Sequence, residues 1–146
     1  MFELSGNEQK QQSQPSYDVL LIEDDIDTGE MLIQSIESEL ALRVRSLQSG
    51  EEMLQHLRDH REAFPSLIII DYLLPGMNGL QLLNHLQSFQ NFEHIPVIMI
   101  TAATITDDMK TALRNRHVSL LTKPFDLTEL LDYLEDIHQN AFQQLL

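Results

Sequence analysis

The sequence contains no cysteine. Disulfides, thiol nucleophiles and thiolate-bound metals are therefore excluded, and the absence suits a reducing compartment. Basic residues are also scarce, with nine Lys and Arg against 23 Asp and Glu, so the formal net charge is −14. Such a charge repels the phosphates of nucleic acids and of anionic lipid headgroups, so neither direct nucleic-acid binding nor membrane attachment is expected. No apolar run approaches membrane-spanning length. Met1–Pro15 lacks the basic start and apolar centre of a signal peptide. A soluble, cytoplasmic chain is expected. What remains is 42% hydrophobic over 146 residues, enough for one domain with a core and short for two.

The most informative stretch is Ser66–Leu80, SLIIIDYLLPGMNGL. Leu67 to Ile70 form a continuous apolar run rich in β-branched residues, which reads as a strand buried on both faces. It stops on a carboxylate, Asp71, and turn chemistry follows at Pro75-Gly76 and Asn78-Gly79. Leu82, Leu83, Leu86 and Phe89 then recur at helical spacing. Strand, terminal acid, loop and helix make half of a βαβ unit, and ligands bind at such carboxyl ends.

The remaining chain repeats that plan. Residues 1–16, rich in Gln and Ser, read as a flexible arm. A buried strand over Asp18–Ile22 runs into Glu23-Asp24-Asp25. Asp27 or Thr28 can cap a helix whose apolar positions include Met31, Leu32, Ile36 and Leu40. Leu42–Leu47 alternates apolar and polar as an edge strand would. A helix over 51–60 turns Met53, Leu54 and Leu57 inward. Ile95–Ile100 is a buried strand ending on Thr101, and a short helix spans 106–115. Val118–Leu121 forms another buried strand, ending in Thr122-Lys123-Pro124. Asp126 opens the last helix with capping-box spacing to Glu129. The helix carries Leu127, Leu130, Leu131, Leu134 and Ile137, and Ala141, Phe142 and Leu145 prolong the stripe to roughly 28 Å. Five strand–helix repeats predict an α/β fold, a doubly wound five-stranded parallel sheet of flavodoxin-like order 2-1-3-4-5 with helices on both faces. The predicted organisation is an arm over 1–16, a domain over 17–139 and an extension of the last helix over 140–146.

In such a sheet Glu23, Asp24, Asp71, Thr101 and Lys123 all sit at strand ends on one rim. Three crowded carboxylates repel one another unless a cation joins them. Oxygen ligands without His or Cys favour a hard ion, and Mg2+ binds through a few carboxylates plus water. A lysine and a hydroxyl opposite suit an incoming phosphoryl group. The chemistry implied is phosphoryl transfer to Asp71, with Mg2+ and Lys123 neutralising oxygens and Thr101 donating a hydrogen bond. Taken singly, Asp25 and Asp27 read as helix caps, Thr101 as a strand-end hydroxyl and Lys123 as a surface charge. All six histidines read as solvent-facing.

The segments LLIEDD (20–25), IIIDYLLPGMNG (68–79), VIMITA (97–102) and LTKPF (121–125), in this order, resemble the receiver domains of two-component response regulators. The resemblance implies Asp71 as phosphoacceptor, Asp24 as direct Mg2+ ligand with Glu23 assisting through water, and the Leu73 carbonyl as a further ligand. It implies Thr101 and Lys123 completing the site and a cis Lys123–Pro124 bond. The implied partners are a histidine kinase or phosphotransfer protein and a downstream effector, with a homodimer through the last helix also expected. The implied activity is a switch that catalyses its own phosphorylation and slow dephosphorylation rather than a turnover enzyme. Positions two beyond Asp71 and Thr101, which can place a hydrolytic water, are Leu73 and Ala103. The chain departs from the pattern at Leu120, where an aromatic is usual, and at Asn115-Arg116-His117, where a glycine is usual and Asn115 is expected to turn left-handed. The alternatives are the receiver part of a longer regulator, an aspartate-nucleophile phosphatase and a phosphate-independent interaction module. A phosphatase of that class typically has an acid where Leu73 stands.

Overall fold

Strand β3 (Leu67–Asp71) occupies the middle of a sheet whose other members are β1 (Val19–Ile22), β2 (Val44–Leu47), β4 (Val97–Thr101) and β5 (Val118–Thr122). All pairings are parallel, and the strand order is β2-β1-β3-β4-β5, as expected. The computed structural model describes residues 17–60, 65–89, 92–102, 104–114 and 116–144. The arm expected over 1–16 and the side chains of Phe142 and Leu145 lie outside the described residues.

The strands' side chains divide between two cores because they alternate across the sheet. Leu20, Ile22, Ile68, Ile70, Val97 and Met99 face α2 (Gly50–Asp59), α3 (Gly79–Leu86) and α4 (Asp107–Leu113). Val19, Leu21, Leu67, Ile69, Ile98 and Ile100 face α1 (Ile26–Leu40) and α5 (Leu127–Gln144). Every residue of β1, β3 and β4 is buried. Burying a Leu or Ile side chain fully contributes about 1.5–3 kcal/mol over leaving it exposed, so these three strands dominate the core.

Several local expectations need correction. The cap of α1 is Asp25, as one of the two readings had it, and not Asp27 or Thr28: its carboxylate accepts from the Thr28 backbone N–H and hydroxyl, and Asp27 lies inside the first turn. Met31 faces solvent at 47% exposure, while Leu32 and Ile36 are buried. Helix α3 ends at Leu86, so Phe89 packs from the following turn. β5 is the outer edge, and its first three residues are only half-buried. An apolar run in the last strand therefore does not mean that both faces and the edge are covered. Asn115 lies outside the described residues, and His117 takes the left-handed conformation with φ 55°. Nor is His56 a solvent group. Its Nε2 is hydrogen-bonded at 2.7 Å to the Tyr17 hydroxyl, and its ring lies 4.7 Å from that of His60. Burial, above all, holds the His56 imidazole below its usual range.

Gly79 opens α3, capped by the reciprocal Asn78–Gln81 pair. A Cβ there would lie 2.9 Å from Tyr72 Cα and 3.1 Å from the Asp71 carbonyl oxygen. Alanine gains up to ~1 kcal/mol of helix propensity, and overpacking against backbone costs about 1–3 kcal/mol. Gly79→Ala is therefore expected to destabilise by about 1–2 kcal/mol in urea unfolding. An unchanged or higher midpoint would show that the close approach imposes no constraint.

Candidate functional site

The register assembles the rim. Ile22 pairs with Ile70, so the next residues, Glu23 and Asp71, leave the sheet side by side. Thr101 pairs with Thr122, which sets Lys123 just beyond the end of β4. The Lys123 N–H donates to the Thr101 carbonyl at 2.8 Å, and the Lys123–Pro124 peptide is cis, as the resemblance implied. All five strand-end residues expected at the site are brought to this rim.

Lys123 Nζ lies 3.2 Å from Asp71 Oδ2 and 3.8 Å from Glu23 Oε1, so one cation stands between two carboxylates. The other Asp71 oxygen, Oδ1, accepts from the Leu73 N–H at 3.1 Å. Glu23, Asp71 and Thr101 are buried, whereas Asp24 is exposed at the mouth. Burial, then a hydrogen bond to Asp71 and the Asp71 charge, push the Glu23 carboxyl up to about 8; Lys123 opposes the rise and Asp24 adds to it. The Glu23 carboxyl thus favours its protonated form at neutral pH.

Carboxylate oxygens of Glu23, Asp24 and Asp71 lie within 4.8 Å of one another. Buried Glu23 Oε1 has no hydrogen-bond partner. A buried oxygen without a hydrogen-bond donor, in an all-oxygen cluster, is the donor chemistry that a hard divalent cation satisfies, and Mg2+ fits it. Leu73 projects outward at 53% exposure beside Asp71. Ala103 lies outside the described residues. Sequence reasoning missed the tightness of the loop behind Asp71, although the Asn-Gly pair that signals it was in view. The Tyr17–His56 contact carried no local signal, since its members are 39 positions apart.

The family model of the response regulator receiver domain matches residues 19–135. The chain belongs to this family. This receiver domain is 29% identical to the probable methanogenesis regulatory protein FilR2 of Methanothrix harundinacea, over 83% of this chain and 81% of that protein. It is 30% identical to the phosphate regulon transcriptional regulatory protein PhoB of Escherichia coli, covering 77% of this chain but only 48% of PhoB. It thus spans about half the length of that transcriptional relative. Among solved structures, the receiver domain of a Francisella response regulator superposes with a TM-score of 0.73 at 25% identity, covering 86% of this chain and 99% of that one. Receiver domains bind Mg2+ at an acidic cluster, and the Glu23–Asp24–Asp71 group is the cluster of that kind among the described residues. No helix of the described residues is long and apolar enough to cross a membrane.

The raised Glu23 carboxyl fixes the sign of a pH effect. The folded receiver domain holds this proton more tightly than the unfolded chain, so Glu23's stabilising contribution is complete below its ordinary pKa of 4.5 and is lost as pH rises through about 8. Without Mg2+, Glu23→Gln should therefore gain stability relative to the native chain as pH rises across that window. A pH-independent difference between the two proteins would overturn the raised Glu23 carboxyl.

Proposed function

We propose that this receiver domain is a phosphorylation switch whose acceptor is Asp71. The observation that carries the reading is the position of Lys123, held against both Asp71 and Glu23 at the meeting point of β1, β3, β4 and β5. A lysine so placed neutralises the acceptor before transfer and can follow the charge onto the phosphoryl group afterwards.

The donor is the phosphohistidine of a histidine kinase or a phosphotransfer protein. An Asp71 oxygen forms a bond to phosphorus as the phosphorus–nitrogen bond breaks. The departing imidazole nitrogen keeps the electron pair and takes up a proton. Lys123 then pairs with a phosphoryl oxygen, and the Thr101 hydroxyl donates to another. Glu23, Asp24, Asp71 and the Leu73 carbonyl are the groups that would hold Mg2+, which when bound supplies positive charge to the transferring oxygens. The chain acts on itself and is not a turnover enzyme. It works in the cytoplasm as the domain over 17–139, and its phosphorylated form changes affinity for a downstream protein. Self-association through the end of α5, beyond residue 139, belongs to the same reading.

A small phosphodonor such as acetyl phosphate, with Mg2+, should raise the intact mass of the chain by one phosphoryl group. Asp71→Asn should abolish the adduct while preserving the fold. An adduct that persists in Asp71→Asn, or none in the native chain, would sink the proposal.

The adduct should also be long-lived. Hydrolysis requires a water in line with the acyl phosphate, and neither Leu73 nor Ala103 has a polar side chain to hold one. The exposed Leu73 side chain beside Asp71 supports shielding of that approach. Since ~1.4 kcal/mol of water positioning changes a rate tenfold, Leu73→Asn combined with Ala103→Glu should speed loss of phosphate by about tenfold or more. Decay is followed after the donor is removed; identical half-lives would refute the role given to these positions.

A further inference from the structure

The rim opposite the acidic site has the reverse character. Two clefts, of about 510 and 310 Å3, open where β4 and β5 begin. They share Val97, Arg116 and His117. Volumes in this range accommodate small-molecule ligands. The larger cleft follows the outer edge of β5, over the apolar side chains of Leu113, Val118 and Leu120. Its cationic lining is Lys110, Arg114 and Arg116, three of the nine basic residues in the chain. The chain has 23 carboxylate side chains, yet no Asp or Glu lines either cleft among the described residues.

The carbonyl end of α4 accounts for Lys110 and Arg114 as helix-terminal cations. It does not account for Arg116 and His117, which lie beyond the helix. Arg116 is fixed at the junction of the clefts, where Nη1 donates to Asn84 Oδ1 at 2.6 Å. His117 holds a left-handed backbone conformation that side-chain-bearing residues rarely adopt, while its carbonyl accepts from the Val97 N–H. Apolar floor and cationic rim therefore occur together on a scaffold tied across α3, β4 and β5.

We propose that this cleft is a binding site for a small amphiphilic anion, with an apolar or aromatic body and one phosphate, sulfonate or carboxylate. The body lies on Leu113, Val118 and Leu120, and the anionic group reaches Lys110 and Arg114. Elsewhere the strongly negative chain repels such ligands, so charge confines them to this rim. The site is independent of Asp71 and its chemistry.

The test uses the full chain and two dyes, anilinonaphthalenesulfonate and its uncharged counterpart phenylnaphthylamine. The sulfonate should bind with one-to-one saturation, raise the melting temperature and perturb the amide resonances of Val97, Leu113 and Val118. It should bind at least tenfold more tightly than the neutral dye, a difference of ~1.4 kcal/mol. Lys110→Gln with Arg114→Gln should cost about tenfold in sulfonate affinity and leave binding of the neutral dye unchanged. Arg116 is kept, because it bonds Asn84. Equal affinity for the two dyes, indifference to the double substitution, or a melting temperature lowered by the sulfonate through binding to the opened chain would each overturn the proposal.

Discussion

Like charges held together in buried positions are the constraint on which this structure turns. Parallel pairing of β1 with β3 delivers Glu23 and Asp71 to adjacent buried positions, where the sheet gives them no room to part. Two responses are visible. Lys123 stands between them, and burial together with the Asp71 carboxylate pushes the Glu23 carboxyl up to about 8, which favours its neutral form. Both are provisional forms of neutralisation, and a divalent cation or a phosphoryl group alters both. The site is therefore set up for charge to arrive.

The rest of the fold keeps that arrangement rigid. β1, β3 and β4 are buried throughout and packed between α1 and α5 on one side and α2, α3 and α4 on the other. None of the three can shift along its neighbour without moving apolar side chains out of both cores, because register and facing are coupled. Lys123 is held differently. Its strand is the half-buried edge, and its backbone is tied to β4 through the Thr101 carbonyl. The buried negative groups thus sit at the ends of fully buried strands and the positive one at the end of a half-buried edge strand.

Most of the architecture could be read from the sequence, for a physical reason. Doubly covered strands leave continuous apolar runs, and the polar residue ending each run falls at the carboxyl rim whatever the loops do. Leu67–Ile70 followed by Asp71 says this unaided. Details that depend on backbone direction could not be read. The run Glu23-Asp24-Asp25-Ile26-Asp27-Thr28 offers several caps, and only the turn of the chain selects Asp25. Val118–Leu121 has the composition of a buried strand, but among the described residues no sixth strand lies beyond it. Asn78-Gly79 signals a turn, while the structure uses Asn78 as a cap and Gly79 for clearance. His56 looked solvent-facing because nothing near it in sequence announces Tyr17.

The loop behind Asp71 also limits how this chain can vary in length. The Tyr72 N–H donates to the Ile100 carbonyl, and its own carbonyl accepts from the Gly79 N–H at 2.7 Å, so residues 72–79 are clasped at their base. Gly76, with φ 79°, lies at the exposed far side of that ring. Extra residues beside Gly76 would enlarge the ring and leave the clasp intact. A single residue added between Asp71 and Tyr72 would carry the clasp out of step with β4 and swing the carboxylate off the rim. Insertions and deletions in related chains should therefore collect at the tip of this loop and spare its base.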